Sequence, residues 1–117
     1  IISMGQMAHR TLAAWEKLVK MGFRPLLLHV SCPLETDEEK LSRALSTGAI
    51  LTVEDHHWRT GLGNGIAMRL AEGGERVPFR AMGVHRYGDS GSSDDVVSRM
   101  GLSADDVAKA FISLIKG

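Results

Sequence analysis

The run Glu54-Asp55-His56-His57 holds the residue types of a metal or acid-base site, two carboxylates next to two imidazoles. Zinc takes four converging ligands, whereas neighbouring side chains of an extended segment point to opposite sides, so the run is no ligand set by itself. His29 and Cys32 complete one only if an adjacent strand brings them close. The plainer expectation is that Glu54 and His56 hydrogen-bond loop amides or a partner surface.

A second chemical signal follows directly. Gly61-Leu62-Gly63-Asn64-Gly65 invites comparison with the dinucleotide fingerprint, which needs a tight strand-to-helix turn and a glycine at its sixth position. Here that position is Ile66, the gap from the strand is long, and no acidic strand end follows at the required distance. These glycines are better read as letting a helix start pack closely on a sheet. Cys32 has no activating histidine beside it, which suits a buried inert thiol. Ser90, between glycine-containing turns, is not a nucleophile elbow because no strand runs directly into it. Helix starts after the first and third strands offer a generic place for an anion such as phosphate.

The elements that position these residues alternate. Residues 1–3 read as the end of a strand, with Met4-Gly5 as the turn. Ala8, Leu12, Trp15 and Val19 recur at steps of four and three and predict an amphipathic helix with that stripe inward, stopped by Gly22. The continuous apolar run 26–30 predicts a strand covered on both faces rather than an edge strand. Thr36 with Glu39 forms a capping box for a helix with Leu41, Ala44 and Leu45 inward, ended by Gly48. Residues 49–54 make the next strand, and a polar loop leads to a helix burying Leu62, Ile66, Ala67, Leu70 and Ala71 before Gly73-Gly74. Residues 77–84 form a fourth strand with Pro78 near its start, and 85–92 read as a loop. Ser93-Asp94-Asp95 caps a short helix ending at Met100-Gly101. Ser103 with Asp106 caps the last helix, whose expected buried stripe is Val107, Ala108, Phe111, Leu114 and Ile115.

Strands alternating with helices imply an α/β domain of three layers, α/β/α, around a mostly parallel sheet in the flavodoxin-like order 2-1-3-4. In that order the sheet changes its direction of growth between the first and third strands, and ligands or partners sit outside the strands' carboxyl ends there. The expected crevice or interface residues are Ser3, Gly5, Glu54, Asp55, His56, Gly61, Gly63 and Ser90, and no catalytic or metal-ligating set is assigned.

The totals bound the rest. The 117 residues fit one domain, and 14 basic against 14 acidic residues leave no global field to attract nucleic acid or an anionic membrane. One cysteine rules out an internal disulfide, and no stretch approaches the roughly 18 apolar residues of a membrane helix, so a cytoplasmic protein is expected. Ile1 is not an initiator residue, and a start at the tail of a strand suggests a chain that begins inside a longer one.

The order of segments resembles the C-terminal domain of transketolases. The matching pieces are Ile2-Ser3-Met4-Gly5 with the helix after it, Cys32-Pro33-Leu34-Glu35-Thr36-Asp37, Leu51-Thr52-Val53-Glu54-Asp55-His56, Gly61-Leu62-Gly63, Tyr87-Gly88-Asp89-Ser90-Gly91 and Met100-Gly101-Leu102. Two departures are Glu35 after Pro33-Leu34, where the family has Asp, and His57-Trp58-Arg59-Thr60 before Gly61, where relatives often carry a second glycine. Deoxyxylulose-phosphate synthase and the β subunit of 2-oxoacid dehydrogenases share this domain. The resemblance implies part of a dimeric transferase of pentose phosphate metabolism that moves a two-carbon ketol unit between sugar phosphates. It implies that thiamine diphosphate and Mg²⁺ are held by two preceding domains, and that this domain binds neither and supplies no catalytic residue. The chain lacks the family's Gly-Asp-Gly diphosphate motif. A different class of reading is a free-standing flavodoxin-like module that binds a small anion or a regulator at the crevice.

Overall fold

The computed structural model describes residues 1–31, 37–85 and 93–117. The elements in order are β1 (Ile2–Met4), a 3-10 turn (Gly5–Met7), α1 (Ala8–Lys20), β2 (Leu28–Val30), α2 (Glu38–Leu45), β3 (Ile50–His57), α3 (Leu62–Glu72), β4 (Phe79–Val84), α4 (Ser93–Arg99) and α5 (Ala104–Lys116). The four strands form one sheet in the order β2-β1-β3-β4, parallel throughout. Alternation along the strands sends Leu51, Val53, Met82 and Val84 to the side of α1 and α5, while Ile2, Met4, Leu28 and Ile50 meet α2 and α3. The expected three-layer parallel architecture and strand order are present.

Several local readings change. The buried face of α1 is Thr11, Ala14 and Leu18, continued from Met7 of the 3-10 turn and about one position from the expected stripe, and Leu12 is 46% exposed. Small Thr11 and Ala14 let this helix sit close to the sheet, and Thr11 Oγ1 donates to Met7 O at 2.7 Å so that no buried hydroxyl is stranded. The larger Trp15 lies partly exposed, its Nε1 donating to Pro25 O at 2.8 Å. Gly22, at φ +96°, turns the chain away after α1 as expected.

β2 corrects the expectation of a strand covered on both faces. It is three residues long at the edge of the sheet, with Leu28 buried and His29 exposed. Leu26 and Leu27 fall outside the ladder; the amino group of Ile1 donates to Leu26 O at 2.7 Å, and Leu28 N donates to Ile1 O at 2.9 Å. α2 takes its N-cap from Asp37, which accepts from Glu39 N at 3.0 Å and Lys40 N at 3.2 Å; Thr36, the expected cap, lies outside the described residues together with Cys32-Pro33-Leu34-Glu35.

β3 runs past the expected end at Glu54 through His57, with an irregularity of register between Val53 and His57. β4 begins at Phe79 rather than at Val77, with Pro78 just ahead, where its missing N–H removes no ladder bond. On α3, Leu62, Ile66 and Leu70 are buried as expected while Ala71 is exposed. α4 ends before Met100-Gly101 as expected, but its capping side chains Ser93 and Asp94 are outside the described set. Ser103 and Asp106 form the expected capping box of α5. Its stripe is Val107, Ala108 and Ala110; Phe111 meets Phe23 edge-on at 5.6 Å, and Ile115 is exposed.

Ion pairs tie the helices of each layer. Lys17 on α1 pairs with Asp105 on α5 and holds that carboxyl below its ordinary range. On the other face of the sheet, Arg69 of α3 grips Glu38 of α2 through Nε at 3.0 Å and Nη2 at 2.8 Å, which lowers the Glu38 carboxyl in the same way.

Candidate functional site

The carboxyl ends of β1 and β3 lie side by side, with Ile2 opposite Thr52 and Ser3 opposite Val53. Strand alternation divides the expected crevice residues between the two faces rather than gathering them at one point.

Glu54 points to the face that carries α3 and is completely buried. Its Oε1 accepts from Leu62 N at 2.9 Å and its Oε2 from Gly63 N at 2.7 Å. The first residues of a helix leave amides without intrahelical acceptors, and the N-cap residue here, Gly61, has no side chain to serve them. A carboxylate from the preceding strand does so instead, and its charge meets the positive end of the helix dipole. Where loop amides or a partner surface are expected for Glu54, the amides it serves are those of the helix start.

This arrangement accounts for the glycines. A Cβ on Gly61 would stand 1.6 Å from Glu54 Oε1, and one on Gly63 would stand 2.6 Å from Ala81 Cβ and 3.0 Å from Thr52 Oγ1. Both positions are empty so that the carboxylate and the two strands can approach the helix. The same contacts bear on the anion reading: at the start of α3, the amides of Leu62 and Gly63 already have an anion, and it is Glu54.

On the opposite face, Gly5 adopts φ +67° as β1 gives way to the 3-10 turn, and a Cβ there would lie 2.6 Å from Asp55 Oδ1. His56 Nδ1 approaches that same oxygen at 3.3 Å without hydrogen-bond geometry. Ser3 is buried and engages His29 Nδ1 of the neighbouring strand at 3.2 Å, within the sheet rather than across the crevice. The structure therefore brings together Glu54, Gly61 and Gly63 in one cluster and Gly5, Asp55 and His56 in another, with Ser3 apart from both. Ser90 and Cys32 lie outside the described residues. Among the described residues, no three His, Cys, Asp or Glu side chains converge as a metal site would require.

A third cluster was not legible as a group in the sequence. Past the irregular end of β3, the ring of Trp58 lies 5.3 Å from that of His85 and 6.4 Å from that of His57, and the Arg59 guanidinium carbon sits 5.0 Å from the Trp58 centroid. Trp58 N donates to Val84 O at 3.2 Å, fastening this end to β4. Gly83 makes the approach feasible, since a Cβ there would meet His56 O at 2.9 Å and Trp58 Cα at 3.1 Å. The sequence signal was an aromatic-cation pair in a polar stretch; its partner His85 stands at the end of another strand.

The family model described as the transketolase C-terminal domain matches residues 1–107. The chain is 34% identical over 112 residues to the 6-deoxy-6-sulfo-D-fructose transketolase subunit SqwH of Clostridium sp. (strain MSTE9), an alignment covering 94% of this chain and 34% of that protein. It is 30% identical over 118 residues to the 1-deoxy-D-xylulose-5-phosphate synthase of Rhodococcus jostii (strain RHA1), covering 100% of this chain and 18% of that one. Among solved structures, a split gene transketolase in the form of an inactive beta4 tetramer superposes with a TM-score of 0.90 at 26% identity, covering 98% of this chain and 38% of the other. The chain thus spans between about a fifth and about two fifths of the length of these relatives.

Proposed function

The chain belongs to the transketolase C-terminal domain family, and from that membership we propose that it completes a thiamine diphosphate-dependent enzyme as its non-catalytic C-terminal section. In this reading the rest of the enzyme, on the same polypeptide or a separate subunit, binds the cofactor and Mg²⁺ and transfers a two-carbon ketol unit between sugar phosphates. The observation that carries the reading is the match of residues 1–107 to the transketolase C-terminal domain, together with relatives several times longer than this chain. A parent of the deoxyxylulose-phosphate synthase type is the second reading, supported by the Rhodococcus relative, and it gives the chain the same place.

The residues described here do not fit a diphosphate with its metal. The amides at the start of α3 are committed to Glu54, and no acidic or imidazole triad faces a common point among the described residues. No step of the reaction is therefore assigned to them. The domain's contribution is to assembly, through surfaces the sheet holds rigidly.

The reading is tested by supplying the chain with thiamine diphosphate, Mg²⁺ and donor and acceptor sugar phosphates, alone and with a polypeptide carrying the two preceding domains. Alone it should give no ketol transfer; together the two should turn over. Transfer by the chain alone, or failure of the preceding domains to gain activity when it is added, would refute the reading.

A further inference from the structure

We propose that the outer edge of β4 is a docking site for an extended polypeptide segment with alternating apolar and acidic residues, which joins the sheet as a further strand. Ile50 N donates to Pro78 O and Trp58 N to Val84 O, so the even-numbered residues of this strand turn their backbone groups to β3. Phe79, Ala81 and Gly83 accordingly turn theirs away from the sheet, a row of donors and acceptors of the kind that templates an added strand. The opposite edge, β2, offers only three residues.

Grooves flank this edge on both faces of the sheet. Toward α3, a groove of about 370 Å³ is lined mainly by apolar groups, Trp58, Ala67, Phe79 and Ala81, together with Arg59 and Asn64. Toward α5, one of about 380 Å³ contains Arg80, Met82, Lys109 and Ser113. An added strand sends successive side chains to opposite faces, so one set would enter each groove.

The charges decide the occupant. Arg59 and Arg80 have no ion-pair partner among the described residues, while Lys109 has Asp106 beside it, a carboxylate bonded to Ser103, and also acts on the Asp105 carboxyl of the same helix. A second copy pairing through the same edge would bring the Arg59 and Arg80 cations of both chains together, whereas carboxylates alternating with apolar side chains would neutralise Arg80 while filling the α3 side. The docking edge is independent of the reaction the parent enzyme catalyses.

The test uses short synthetic peptides alternating valine with glutamate or valine with lysine, followed by fluorescence anisotropy and amide hydrogen exchange of the 117-residue chain. The glutamate peptide should bind at least about tenfold more tightly than the lysine peptide and slow exchange at Phe79, Ala81 and Gly83. Ala81→Pro removes an outward N–H without touching the ladder to β3 and should abolish binding. Arg80→Glu should reverse the peptide preference at an unchanged unfolding midpoint, and it decides the question if the proline variant fails to fold. Equal binding of the two peptides, no binding of either, or protection of those amides in the free chain would overturn the proposal. A concentration-dependent dimer that protects them would also overturn it, in favour of a second copy.

Discussion

Replacing Glu54 by glutamine removes its charge and keeps its shape. The carboxylate serves Leu62 N at 2.9 Å and Gly63 N at 2.7 Å from a position with no solvent access. The carboxamide keeps one acceptor and points an NH₂ group at the second amide, so one hydrogen bond to a charged acceptor is lost and two buried donors face each other. A bond of that kind contributes about 1.5–3 kcal/mol, and the charge at a helix N-terminus adds up to about 2 kcal/mol when partly buried. A loss of about 3 kcal/mol is expected, which for a chain of this size lowers the melting temperature by about 12 °C. Urea unfolding measures the first quantity, thermal unfolding the second, and faster amide exchange at Leu62 and Gly63 locates the damage. Gly61→Ala should act through the same group, because its Cβ would lie 1.6 Å from Glu54 Oε1 and displace the carboxylate from both amides. The two changes should therefore be far from additive: in a Glu54→Ala background, Gly61→Ala should cost much less than it does alone. A loss below about 1 kcal/mol for Glu54→Gln, or full additivity in the cycle, would refute this account of the helix start.

Two further outcomes follow from buried polar groups elsewhere in the chain. Thr52 Oγ1 is buried without a hydrogen-bond partner among the described residues, so Thr52→Val, which keeps the branched shape, should raise the unfolding free energy by about 1 kcal/mol; a loss of stability in urea would show that the hydroxyl has a partner after all. In the 117-residue chain taken by itself, burial pushes the amino group of Ile1 down from 8.0 to about 6, so between those values the unfolded chain holds more protons than the folded one and stability rises with pH, by about 2 kcal/mol from pH 6 to pH 8. Urea midpoints across that range measure the rise, and one residue added ahead of Ile1, which converts the amine to an amide, should remove this contribution; an unchanged slope would refute the assignment.

Much of the architecture was legible because it rests on period and punctuation. The runs at 26–30, 49–54 and 77–84 separated by helical stripes give a parallel sheet, and short right-handed crossovers narrow its strand order to a few, among which the structure has 2-1-3-4. What the pattern misplaced shares a physical cause. Hydrophobic spacing picks out the largest apolar residues of α1, Leu12, Trp15 and Val19, but a helix packed closely on a sheet turns small side chains inward, here Thr11 and Ala14. The apolar run 26–30 has the composition of a doubly covered strand, yet position in the sheet decides coverage, and the order 2-1-3-4 puts that strand at an edge. The extension of β3 through His57 was invisible because polar residues there are stabilised by β4 backbone and by the room left at Gly83, contacts between segments distant in sequence.

The candidate site teaches a related lesson about glycine clusters. In a phosphate-binding turn, glycines clear space for an external anion at a helix start. Here Gly61 and Gly63 clear the same kind of space, but the anion that enters is the protein's own Glu54, delivered by the strand before the helix. From sequence the two cases look alike, since each has a strand, a loop and closely spaced glycines. They are separated by whether a carboxylate near the end of that strand falls on the side facing the helix. Thr52 and Glu54 share that side by strand alternation, and Gly63 lies against both, so the parity of residues along β3 converts a ligand-binding geometry into a structural one. The Gly63→Ala variant separates the two uses: it meets Ala81 Cβ at 2.6 Å and should destabilise the fold even with every possible ligand absent, an outcome that urea unfolding of the chain alone can read.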